Sequence, residues 1–151
     1  MSKDGKQGIF IERALYRSAA FKRLSKSATL ILLEFLGRRR LEHRGGAWVV
    51  TNNGLITLSY REVKRLFGLF PSTMTKAITQ LVEYGFIDIA HQGIANSKDF
   101  SRYAISERWK DYGTGKFIEQ TRQKDTRKLG FASRKLKIVG IKTRRKRLGK
   151  V

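Results

Sequence analysis

The sequence predicts an α+β domain, a three-helix core closed by a β-hairpin, followed by a basic, disordered C-terminal arm. Three observations carry this. Between Pro71 and Gly85, the residues Met74, Ala77, Ile78 and Leu81 recur at the i, i+3, i+4, i+7 spacing of an amphipathic helix. After Gly85, Phe86-Ile87-Asp88-Ile89 alternates as a strand with Asp88 outward, and Tyr103-Ala104-Ile105 returns as its partner. From Arg122 to Val151 the composition shifts to thirteen Lys and Arg against one acid, Asp125, a net +12. The apolar residues of that stretch are too sparse and uneven for a second core. The resulting organisation is a flexible lead over 1–8, a domain over 9–114 and an arm over 115–151.

Charge sets the class of partner. The 151 residues hold 33 Lys and Arg against 12 Asp and Glu, a formal net charge of +21. Such an excess repels itself unless a polyanion answers it. Nucleic acid is the first candidate and an anionic membrane surface the second. No run of about eighteen apolar residues is present to span a bilayer, and Met1 to Gly8 is polar where a signal peptide is apolar. The lack of cysteine removes disulfides and thiolate metal sites, and fits a cytoplasmic, nucleoid-associated protein. With only His43 and His91, neither a metal centre nor another cofactor is expected.

Taken in order, residues 9–24 are too rich in apolar side chains for a free tail, and suit an extended or strand-like piece followed by a short helix. Ser25 or Ser27 caps the next helix. Ala28 to Leu36 is apolar almost all round, as in a buried central helix. It frays near Gly37, and Gly45-Gly46 ends the element. Trp48-Val49-Val50 and Leu55-Ile56-Thr57, joined through Asn53-Gly54, predict a hairpin. Ser59-Tyr60-Arg61-Glu62 is a capping box. The helix it opens turns Val63, Leu66 and Phe67 inward and stops at Gly68, suited to the C′ position. Pro71 sits in the first turn of the following helix, where a missing amide does no harm. On that helix Ser72, Thr75, Lys76 and Thr79 lie opposite the apolar stripe, a hydroxylic and cationic face able to donate to phosphates or base edges. The polar run His91 to Ser101 joins the two strands. Ser106 caps a last helical turn that holds Trp109 and closes at Gly113, so that Trp109 and Tyr112 form a lid.

The ordered set Leu58-Ser59-Tyr60-Arg61-Glu62, Gly68-Leu69-Phe70-Pro71-Ser72-Thr73, Ala77-Ile78 and Leu81-Val82-Glu83-Tyr84-Gly85-Phe86-Ile87 resembles the winged helix-turn-helix superfamily. It is similar in particular to small regulators and replication-associated proteins of plasmids, phages and other mobile elements. The resemblance spans roughly Phe21 to Thr114 and leaves the arm outside. One departure is Phe70, where such proteins often place a Ser or Asp cap, with Ser72 as the alternative cap. The resemblance implies that Ser72, Thr73, Thr75, Lys76, Thr79 and Gln80 face the major groove. It places Tyr60 and Arg61 near phosphates, and Lys98 and Arg102 on the wing.

The expected function is double-stranded DNA binding, as a sequence-selective transcriptional regulator of a prokaryotic mobile element. A replication-origin or partition accessory protein is one alternative, and an RNA- or ribosome-associated basic protein the other. Arg134, Lys135, Lys137, Arg144, Arg145, Lys146 and Arg147 of the arm add salt-sensitive affinity by displacing counterions. The run Thr143 to Arg147 also matches a nuclear localisation patch, a frequent false positive in basic tails. A homodimer is compatible with the sequence, through 9–24 or 106–121, and no membrane partner is expected. His43 and His91 read as surface residues. Tyr103 and Tyr112 lack the histidine-containing surroundings of a strand-cleaving nucleophile, so the chain does not read as an enzyme.

Overall fold

The computed structural model describes residues 8–94 and 98–122. Residues 1–7 of the expected lead, and the expected arm beyond 122, lie outside the described residues. Within them the chain is α+β, with five α-helices and two small antiparallel hairpins. The order is α1 (Arg13–Arg17), α2 (Ala19–Lys22), α3 (Lys26–Gly37), β1 (Leu41–Arg44), β2 (Ala47–Val50), α4 (Tyr60–Phe67), α5 (Pro71–Glu83), β3 (Ile87–His91) and β4 (Arg102–Ile105). A 3-10 turn at Arg108–Asp111 follows. No helix among the described residues is long and apolar enough to cross a membrane.

The core is the meeting of α3 with α5. Ser25 caps α3, its Oγ accepting the Ala28 N–H at 3.2 Å, and the helix buries Ala28, Ile31, Leu32, Phe35 and Leu36. Facing it, α5 buries the expected Met74, Ala77, Ile78 and Leu81, together with Val82. Each of these side chains larger than alanine, taken fully from water, contributes roughly 1.5–3 kcal/mol. Val63 of α4 and Phe86, Ile87 and Tyr103 of the β3–β4 side complete the core. Trp109 closes it, stacked on Phe86 at 6.1 Å between ring centroids.

The N-terminal segment forms two short helices where an extended piece and one helix were expected. Ser18 breaks them apart: its Oγ accepts from the Phe21 N–H and donates to the Leu15 carbonyl, so it ends one helix and caps the next.

The first hairpin is not the one the sequence suggested. Asn53-Gly54 does not join 48–50 to 55–57; β1 pairs with β2 about Gly45-Gly46, whose φ values of 56° and 82° suit a two-residue turn with positive φ at both positions. Asn53 is used elsewhere, its Oδ1 accepting the Ile105 N–H at 2.6 Å and its Nδ2 donating to the Ile105 carbonyl at 3.1 Å. That clamp carries Ile56 to the edge of the second sheet, where it bridges Tyr103. Leu66 also departs from expectation, remaining 44% exposed. The short helix α4 packs chiefly on α5, which narrows its buried stripe to Val63 with Phe67 partly covered.

The second hairpin forms between the two strands that the alternation predicted, with Ile87 paired to Ile105 and Ile89 to Tyr103. The turn into it depends on Gly85, at φ 86°, where an added Cβ would lie 2.7 Å from the Trp109 backbone nitrogen. Gly68 also has positive φ, 67°, but nothing lies near its missing Cβ. Gly68→Ala is expected to cost about 1 kcal/mol, the left-handed penalty alone. Gly85→Ala is expected to cost about 3 kcal/mol, because backbone must move as well. Urea unfolding followed by Trp109 fluorescence measures both, and equal losses would contradict the close approach.

Candidate nucleic-acid interface

The residues expected to face the groove divide into two groups. Ser72 and Lys76 are exposed, one turn apart on the outward line of α5. Thr73, Thr75, Thr79 and Gln80 are half-buried on its flanks. Thr75 Oγ1 lies 3.2 Å from Tyr60 Oη, a hydroxyl pair that ties the start of α4 to α5. Thr79 Oγ1 donates back to the Thr75 carbonyl. Gln80 is the furthest from expectation: its Oε1 accepts the Ser25 N–H at 2.9 Å, so the amide braces α5 against the cap of α3.

Phe70 is the N-cap residue and supplies no side-chain bond, with Pro71 opening the helix. Ser72 therefore lies inside the helix and leaves its hydroxyl facing outward. The amides of the first turn have no side-chain acceptor at the cap, an arrangement that favours an anion.

Sequence reasoning missed Glu83. Seven residues beyond Lys76, it falls on the same outward line and is exposed. The polar face of α5 is thus cationic and hydroxylic toward its N-terminus and acidic at its end, roughly 16 Å from Ser72 at 1.5 Å per residue. The charge of the first part attracts an anion, and that of the last repels one.

Helix α4 adds more positive charge than the expected Arg61. Lys64 and Arg65 are exposed beside it, with the Lys64 ammonium 6.0 Å from the Phe70 ring centroid. The single acid of α4 is already engaged. Glu62 Oε2 accepts the Ser59 N–H at 2.8 Å, completing the capping box, and its Oε1 accepts from Arg38 at 3.1 Å. Arg38 itself holds Glu34 and the Thr57 carbonyl. The signal for this was present in the sequence Tyr-Arg-Glu-Val-Lys-Arg, whose capping box commits the one carboxylate to the backbone.

On the second hairpin, Arg102 and Lys98 are both exposed. Part of the loop between them and β3, residues 95–97, lies outside the described residues. The loop base is tied by His91, whose Nε2 lies 2.8 Å from Asp99, and by the Gly93 N–H donating to Ser101 Oγ. The expected arm contacts Arg134, Lys135, Lys137, Arg144, Arg145, Lys146 and Arg147 lie outside the described residues.

Arg108 was given no role in the sequence reading and proves central. Its Nη2 donates to Asp88 at 2.6 Å and to the Val82 carbonyl at 2.8 Å, and its Nη1 to the Ile118 carbonyl at 2.9 Å. It thus satisfies a terminal carbonyl of α5, anchors β3, and holds the chain beyond the 3-10 turn. Asp88 points away from the core as expected, but into this ion pair rather than to open solvent. Tyr103 is buried, and burial pushes its phenol above the ordinary value, the reverse of what an attacking phenolate needs.

Comparison with family models, with curated proteins and with solved structures gives no match to this chain. The site therefore rests on its own geometry.

The Ser59 backbone N–H, together with the Ser59 hydroxyl and Arg38, holds the Glu62 carboxyl below its ordinary value of 4.5. A depressed folded value stabilises the protein fully above the unfolded value, and that stabilisation is lost as pH falls through the folded one. Glu62→Gln is expected to be less stable than the parent at pH 7, with the gap closing as pH drops below about 4.5. Urea midpoints across pH test this; a gap independent of pH would contradict the capping assignment.

Proposed function

We propose that the chain binds double-stranded DNA as a winged helix-turn-helix protein. Helices α4 and α5 are the helix pair, α5 the element that enters the major groove, and β3–β4 the wing. The observation that carries the reading is the outward face of α5. It is exposed at Ser72, Lys76 and Glu83, offers donors from Ser72 and Lys76 in its first half, and adjoins α4, whose cations Arg61, Lys64 and Arg65 meet no uncommitted acid among the described residues. Phosphates beside the groove are answered by α4 and by Arg102 and Lys98, which set register without reading sequence. A face with one lysine and several hydroxyls reads bases sparingly, and the basic segment after 122 contributes affinity of no sequence preference.

The biological role that fits is a sequence-selective transcriptional regulator of a prokaryotic mobile element. That part of the proposal rests on the resemblance carried by the residues from Leu58 to Ile87.

Selection from random duplexes gives the preferred site needed for a test. Lys76→Ala is expected to weaken that site about tenfold while changing random duplex little. Removal of 123–151 is expected to weaken both alike and to lower the salt slope by about five, if six charges each meet one phosphate at ~0.9 apiece. Titrations of both variants across salt, with structured RNA as competitor, measure this. Equal loss on both duplexes for Lys76→Ala would remove α5 from the groove, and preference for RNA would replace the DNA reading.

A further inference from the structure

The β1–β2 hairpin stands apart from the rest of the fold. Every residue from Leu41 to Val49 is exposed, and the two strands pair only with each other. A two-stranded ribbon alone is marginal in water, yet this one carries Trp48 at 70% exposure. Cross-strand partners share a face. The register pairs Leu41 with Val50 and His43 with Trp48, so these four form one side, with the His43 and Trp48 rings 5.3 Å apart. The other side holds Glu42 and Arg44, joined in an ion pair at 2.6 Å. One face is therefore apolar and aromatic, with no carboxylate, ammonium or guanidinium group on it, and the charged face neutralises itself.

The geometry points to this face as the surface on which a second copy of the chain docks. Three features select that occupant. The chain carries +21, so two copies repel each other over most of their surface, whereas residues 41–50 hold one Arg and one Glu and add no net charge to that repulsion. A two-fold axis sets the same face against itself, which suits a side made of Leu41, His43, Trp48 and Val50. A further exposed apolar side chain is Phe10, 66% exposed, whose carbonyl accepts from the guanidinium of Arg39, two residues before β1. A tryptophan carries roughly 200 Å², so pairing Trp48 with its mate removes roughly 300 Å² from water, against ~1,200 Å² where specific interfaces begin. Leu41, Val50 and Phe10 add smaller areas that leave the patch below that size, which sets a weak, transient dimer of micromolar strength. The segment 106–121, considered from sequence for the same role, turns Trp109, Tyr112 and Phe117 onto its own domain. This inference stands apart from the DNA reading, since it is measured without nucleic acid.

Light scattering and sedimentation of the full chain between roughly 1 and 100 μM are expected to show a monomer passing to a dimer. Over that range Trp48 emission shifts to the blue, with buried Trp109 as the fixed reference. Trp48→Ser and His43→Glu, the second adding like charge across the two-fold axis, are expected to stay monomeric with Trp109 emission unchanged. A parent chain that is monomeric throughout would overturn the proposal, as would variants that dimerise like the parent. A monomer whose Trp48 is quenched by an oligonucleotide would overturn it too, and assign the hairpin to nucleic acid.

Discussion

Helix α5 is held on one side and bare on the other, and the remaining structure follows from that asymmetry. Met74, Ala77, Ile78 and Leu81 are buried against Ile31, Leu32 and Phe35 of α3, which fixes how the helix is rotated about its axis. Rotation by one residue would bring Thr75 and Thr79 into that apolar seam and turn Ala77 and Leu81 out of it. Burying an unpaired hydroxyl costs about 1–3 kcal/mol, so the rotation is well defined. The outward placement of Ser72 and Lys76 is therefore a consequence of what lies beneath them.

Polar tethers set the tilt that packing leaves free. Gln80 reaches the cap of α3, Thr75 meets Tyr60 of α4, and Arg108 binds the Val82 carbonyl at the far end. The charge balance works in the same direction. Glu34, Glu62 and Asp88 are committed to Arg38 and Arg108 inside the fold. Those two arginines are structural, and the cations left on α4 and the first half of α5 are the ones free to meet an anion. Glu83 limits that surface at its C-terminal end, giving the helix a cationic end and an acidic one.

What the sequence disclosed was what short-range chemistry dictates. The capping box at Ser59 and Glu62, the stop at Gly68, the stripe of α5 and the alternation after Gly85 each depend on residues within a turn or two of one another. The first hairpin was misread because two turn signals, Gly45-Gly46 and Asn53-Gly54, lie eight residues apart. Local propensity cannot rank them, and the choice is made by Asn53 clamping Ile105 across 52 positions. Leu66 was misplaced because helical periodicity assumes a neighbour that α4 lacks on that side. The roles of Gln80 and Arg108 depend on partners 55 and 20 to 26 residues away, beyond any motif. The candidate interface was thus legible as a face, while the groups that brace it were not.

The central claim is that duplex meets the outward face of α5. Amide and side-chain chemical-shift mapping of the full chain, titrated with its selected duplex, tests it most directly. The account predicts shifts at Ser72, Lys76, Tyr60 and Arg61, with smaller ones at Lys98 and Arg102, and none along the buried line from Met74 to Leu81. Shifts confined to the last thirty residues of the chain would contradict it, leaving α5 as scaffold and the protein as a nonspecific binder of polyanions.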